Sequence, residues 1–332
     1  MIAIGIDLGG TFIKAGVVDE GGNILIKGSR PTGVERGHEA TIRDMAELSL
    51  ELLEKSGHTL EAVDSIGIGI PGVINNDGVV PLLTNLFWHD VPLIERMRAY
   101  IDKPVYVAND ATVAGFAESI AGVSAGTKSS VFVTLGTGLG GGVVLDGKPF
   151  VGAHGVGTEI GHMMLVLGGV PCTCGNRGCW ERYASATALI RMGRERMAAE
   201  PEGMIAREAL GDAEKVTAKL VVDCARAGDP GAKAVFDDYV YYLAAGLANM
   251  VNAYDPEVVA LGGGVSAAGA FLLDAVRKKL PDLIFYKTMP YARVEIATLG
   301  NDAGLIGAAM LAMRADKPAL SRRCRPERKD TR

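Results

Sequence analysis

Nothing in the chain approaches the run of about eighteen apolar residues that a membrane-spanning helix needs, so no membrane partner is expected. Aromatic side chains are scarce, 6 % against 48 % apolar residues in all, so the cores should be aliphatic. An excess of basic charge is missing too. The formal net charge is −5, which argues against broad nucleic-acid binding, since that needs a basic face. Local dipoles or a metal ion still suffice to hold one anionic phosphate group. The opening Met1–Asp7 lacks the basic n-region of a signal peptide and meets an acid at once. Of only five cysteines, three fall within eight positions, a pattern of a metal cluster and not of a secreted disulfide framework. The expectation is a cytoplasmic protein.

What the chain does have is glycine, 44 of 332 residues, and a length beyond which a single core usually stops growing. Two α/β domains are therefore expected. Residues 2–7 form an apolar run into Asp7-Leu-Gly-Gly-Thr11; alternation resumes through Ile13, Ala15 and Val17, and Ile24–Ile26 follows a turn, a β-meander. Helical spacing covers 38–56, then strands are predicted at 66–70 and 105–108 and a helix at 111–121. Residues 185–254 read as helix-rich, with strands at 257–261 and 293–297 and a small-residue helix at 303–313 that should pack back onto the first domain.

An internal echo supports the two-domain reading. Aligning Ile6–Thr11 with Val133–Gly138 brings Gly16–Asp19 into step with Val143–Asp146, each copy reading strand, glycine turn, strand, acidic turn. The boundaries expected are a small domain at 1–117 completed by a returning helix at 303–320, and a large domain at 118–302 carrying the cysteine loop. A charged tail at 321–332 should be disordered.

Three glycine-rich turns follow strands: Asp7–Thr11, Gly136–Gly142 and Gly262–Ser266. Glycine lets backbone N–H groups approach phosphate oxygens, which makes these turns candidate nucleotide contacts. The second matches G-x-G-x-x-G, but a strand and turn follow it where a dinucleotide site requires a helix, and no Walker A sequence occurs. Asp7, at an apolar strand end, is either a structural cap or a contact to Mg²⁺, direct or through water. Asn109 and Asp110 suit a helix N-cap, yet their strand-to-helix junction lies between the two glycine-rich copies, where a base for an acceptor hydroxyl belongs. His162 with Cys172, Cys174 and Cys179 supplies a closed tetrahedral Zn²⁺ set, with a redox dithiol as the alternative; Gly175 and Gly178 would allow the tight turn.

These motifs resemble the ROK family of sugar kinases and repressors, closest to its bacterial glucokinases, over residues 2 to about 314. The resemblance rests on Asp7–Thr11, Asn109-Asp110, Leu135–Gly142, Glu159-Ile-Gly-His162 and Cys172–Glu181. It implies the actin-like ATPase (ribonuclease H-like) fold, two duplicated α/β domains around a cleft. It further implies ATP-dependent phosphorylation of a hexose 6-hydroxyl, most simply glucose, with structural Zn²⁺, Mg²⁺ accompanying ATP, and a homodimer or homotetramer. Asp110 is similar to the family's catalytic base. Gly72, Asn85, Asn109, Glu159, His162 and Glu181 match its sugar-binding positions. Asp7, Gly9, Gly10, Thr11, Thr137, Gly138 and Gly263 fall in its nucleotide motifs. Fructose, mannose, N-acetylglucosamine and N-acetylmannosamine are the alternative acceptors. A sugar-sensing transcriptional regulator is disfavoured, because the first phosphate strand begins at Ile2 and leaves no DNA-binding domain ahead of it.

Overall fold

A computed structural model describes residues 1–75 and 77–315; the expected tail at 321–332 and the last residues of the 303–320 segment lie outside them. The first half of the chain runs β1 (Ile2–Leu8), β2 (Phe12–Asp19), β3 (Ile24–Pro31), α1 (Gly37–Lys55) and β4 (Val63–Ile70). It continues with β5 (Val80–Leu83), β6 (Trp88–Val91), α2 (Leu93–Tyr100), β7 (Val105–Asn109) and α3 (Asp110–Ala121). The second half opens with β8 (Ser130–Leu135), β9 (Leu139–Leu145) and β10 (Lys148–Pro149). Five helices follow: α4 (Glu181–Ala184), α5 (Ala186–Ala199), α6 (Met204–Glu208), α7 (Ala218–Arg226) and α8 (Pro230–Tyr254). Then come β11 (Val258–Gly262), α9 (Ala270–Lys279), β12 (Arg293–Ile296) and α10 (Ala303–Arg314).

The sheets repeat one plan. One has the order β3-β2-β1-β4-β7 and the other β10-β9-β8-β11-β12. In each, two antiparallel hairpin pairings lead to a central strand, and two parallel pairings follow it. The offset that aligns Ile6 with Val133 also sets the first residue of β2, Phe12, on the first residue of β9, Leu139.

The helices after the last strand of each sheet change places. α10 packs on β1 and β4 of the first sheet, α3 packs on β8 and β9 of the second, and the two helices pack on each other. Glycine makes this possible. Gly16, Gly5 and Gly67 lie side by side across β2, β1 and β4, and a Cβ at Gly5 or Gly67 would run into the carbonyl of Leu305 or Ala308. In β4, Ile66, Ile68 and Ile70 join the core with α1 and α2, while Gly67 and Gly69 turn to α10 and α3. The period of two along one strand thus separates a hydrophobic core from a close backbone seat. Between the sheets, Ala3, Phe116, Val144, Ile306 and Met310 share a smaller apolar cluster. Among the described residues no helix is long and apolar enough to cross a membrane.

Candidate active site

β1, β4 and β7 are parallel, so their carboxyl ends lie together, and this is where the acidic groups collect. β7 ends at Asn109, whose Oδ1 accepts the N–H groups of Ala111 at 2.9 Å and Thr112 at 3.2 Å. Asn109 is thus the N-cap of α3, while its Nδ2 donates to the Gly72 carbonyl at 3.4 Å. Asp110, one residue on, is not needed for the cap. Its Oδ1 accepts from the Ala111 N–H at 2.7 Å. Burial pushes the Asp110 carboxyl up to about 6, against the pull of that hydrogen bond, and the carboxylates of Asp7 and Glu159 add repulsion.

A cleft of about 490 Å³ runs from Asp110 past Asp7 and Lys14 to Gly262–Gly264 and Asn301. Asp7 pairs with Lys14 at 3.3 Å and presses on Gly304, where a Cβ would stand 2.8 Å from the Asp7 carboxyl carbon. Lys14 escaped the sequence reading, although a hairpin closed by Gly9-Gly10 sets it directly opposite Asp7. Gly263 has a φ of 81°, and a Cβ there would come within 2.7 Å of the Leu135 backbone, so the third turn is drawn against the end of β8. Among the described residues the cleft walls include this turn but not Gly9, Gly10, Thr11, Thr137 or Gly138, which follow the carboxyl ends of β1 and β8.

The second cluster lies in the loop between β10 and α4. The ligand atoms of His162, Cys172, Cys174 and Cys179 all lie within 4.8 Å of one another. Cys174 Sγ and Cys179 Sγ are 3.6 Å apart, and Cys172 Sγ is 3.7 Å from His162 Nδ1. Zinc–sulfur bonds of about 2.3 Å at tetrahedral angles put sulfurs ~3.75 Å apart, so the donor set fits Zn²⁺. The convergence of all four donors favours a metal site over a lone dithiol. Burial, with Cys174 and Cys172 alongside, pushes the Cys179 thiol up to about 12; a bound cation would replace that proton. Gly175 and Gly178 have φ of 92° and 82°, so both lie in the left-handed region that the turn demands.

Glu181 joins this cluster to the second glycine turn. Its Oε2 accepts the Leu139 N–H at 3.0 Å and lies against Gly138, while Oε1 is 3.9 Å from Cys172 Sγ. The Thr137 carbonyl accepts from the Thr187 hydroxyl at 2.6 Å. Glu159 leads into the turn bearing His162 and is exposed. Asn85 is also exposed, two residues past Leu83, whose side chain would clash with a Cβ on Gly72.

A family model described as the ROK family matches residues 3–315. A glucokinase of Streptomyces coelicolor is 40 % identical over 319 residues, spanning 95 % of this chain and 98 % of that protein. A crystal structure of a ROK family glucokinase from Streptomyces griseus, in complex with glucose and AMPPNP, aligns with a TM-score of 0.79. It is 37 % identical and covers 94 % of this chain and 99 % of that one. A ROK hexokinase structure from Thermus thermophilus also gives a TM-score of 0.79, at 35 % identity over 94 % of this chain and 98 % of that one.

Proposed function

The chain belongs to the ROK family, and on that premise we propose that it is an ATP-dependent glucokinase with Asp110 as the base that activates the sugar hydroxyl. Its fold is the actin-like ATPase fold of the ROK sugar kinases. We divide it into a small lobe of residues 1–117 with 303–315 and a large lobe of 118–302.

The observation that carries the catalytic reading is the placing of Asp110 at the start of α3, half-buried, with the nucleotide-side acid Asp7 and Glu159 both near enough to repel it. A carboxyl titrating at about 6 is largely ionised at neutral pH yet basic enough to take a proton in flight. Asp110 accepts the proton of the 6-hydroxyl as that oxygen bonds to the γ-phosphorus and the bond to the ADP oxygen breaks. Lys14 and the N–H groups of the glycine turns face the charge on the transferring group.

Asn109 has spent its Oδ1 on the cap and directs one amide N–H at the Gly72 carbonyl, so its second amide N–H remains for a sugar oxygen. With Nδ1 turned to the thiols, His162 offers Nε2 to a hydroxyl. Asn85, Glu159 and Glu181 supply further sugar contacts, and Gly72 lines the pocket. Asp7 would hold Mg²⁺ through water, and the ion would supply neutralisation of the ATP phosphate oxygens. Zn²⁺ on His162, Cys172, Cys174 and Cys179 would cross-link the 159–181 loop. Its thiolate ligands suit a reducing cytoplasm.

A coupled assay of ADP release across glucose, fructose, mannose, N-acetylglucosamine and N-acetylmannosamine tests the acceptor. Glucose should give the highest kcat/KM. A higher value for any of the others would overturn the assignment.

A further inference from the structure

The first glycine turn has little of its own to fix its direction. Gly9 and Gly10 have no side chains, and Gly10 and Thr11 are exposed. We infer that Thr32 is the positioning residue that aims this turn at the nucleotide phosphates, an inference that rests on the kinase reading above.

Thr32 follows β3 and is fully buried. Its hydroxyl donates to the Gly9 carbonyl at 2.7 Å, and its backbone N–H donates to the Thr11 carbonyl at 2.9 Å. A trans peptide is planar and sends its C=O and N–H in opposite directions. Drawing the Gly9 carbonyl in toward Thr32 therefore turns the Gly10 N–H the other way, out of the sheet edge. The Gly9 N–H is already committed to the Phe12 carbonyl at 3.0 Å, which closes the turn. A Gly-Gly peptide can flip at little steric cost, so without a tether the turn would share its time between orientations. Only the fraction facing the phosphate binds, and the apparent affinity falls in proportion.

Thr32 is itself braced from behind. Its carbonyl accepts from Arg36 Nη2 at 3.1 Å, and the same nitrogen pairs at 2.5 Å with Asp44, a buried carboxylate of α1. A chain of polar contacts thus runs from the body of α1 through Arg36 and Thr32 to the turn. A valine would keep the shape of the threonine and lose only the hydroxyl, leaving the Gly9 carbonyl without its partner.

The test is calorimetric binding of a non-hydrolysable ATP analogue with Mg²⁺, and separately of glucose, to the full chain. Thr32→Val should weaken nucleotide binding about fivefold to tenfold, the worth of one hydrogen bond, and leave glucose binding within about twofold. Thr32→Ser, which keeps the hydroxyl, should recover to within about twofold of the parent. Arg36→Met, one contact further out, should show the same pattern at smaller size and reads the inference if Thr32→Val does not fold. Unchanged nucleotide affinity in Thr32→Val, equal loss of both ligands, or failure of serine to rescue would each overturn the role. A parent chain that binds no nucleotide would overturn the kinase reading, and this inference with it.

Discussion

The Glu118 carboxylate accepts both the backbone N–H and the hydroxyl of Thr298, at 2.9 and 3.3 Å. It also takes the N–H groups of Leu299 at 2.8 Å and Val123 at 2.8 Å, and Glu118 itself is fully buried. The last turn of α3 is thereby tied to the segment that leads into α10 and forms one wall of the cleft beside Asp7 and Asp110. Asp110 stands at the other end of the same helix.

Glu118→Ala should cost about 2 kcal/mol or more, because a buried carboxylate that accepts three backbone N–H groups is removed at once. Urea denaturation of parent and variant measures it. A loss under about 1 kcal/mol would mean that water or a neighbouring group replaces the carboxylate.

Replacing the base gives a second expectation. Asp110→Asn should lower kcat by a hundredfold to ten-thousandfold, on the order of what general-base catalysis contributes, with KM for glucose little changed. Turnover within tenfold of the parent would remove Asp110 from the mechanism. If Asp110 is the base it must be ionised in the parent enzyme, so activity should fall as pH drops through about 6.

The same shift has a consequence for stability, with the opposite sign to that of an ordinary salt-bridged aspartate. The folded carboxyl is raised from 3.8 to about 6, so the native state binds the proton more tightly than the unfolded chain does. The ionised group therefore weighs against the fold above pH 6, and the cost fades toward pH 4. Asp110→Asn should be the more stable protein at pH 8, by at most about 3 kcal/mol, with the difference gone near pH 3.5. Thermal melts at the two pH values check this; a variant less stable than the parent at pH 8 contradicts it.

The cysteine loop should carry one Zn²⁺ per chain in protein purified without added metal, as read by elemental analysis. Cys172, Cys174 and Cys179 should resist thiol reagents until a chelator is added, and hydrogen exchange over 159–181 should then quicken. Zinc-free protein with all three thiols freely titratable would rule the site out.

The strands, the glycine turns and the cluster of His162 with three cysteines were legible in the sequence because each depends on short-range rules. Alternation in Ile66–Ile70, the left-handed φ that Gly175 and Gly178 supply, and thiols spaced for one ion need no knowledge of a distant partner. Even the duplication could be read, since Ile6–Thr11 and Val133–Gly138 carry it in their own residues. Tertiary structure decided the rest. Glu118 and Thr298 are 180 positions apart, and nothing near either names the other. Lys14 becomes a cleft residue through its register with Asp7, and Thr32 becomes a tether only once β3 lies beside the first turn. Asp110 and Asn109 look alike as helix caps. The fold separates them, spending one on capping α3 and setting the other, half-buried, beside the carboxylates of Asp7 and Glu159, and that surrounding is a property of the packed chain.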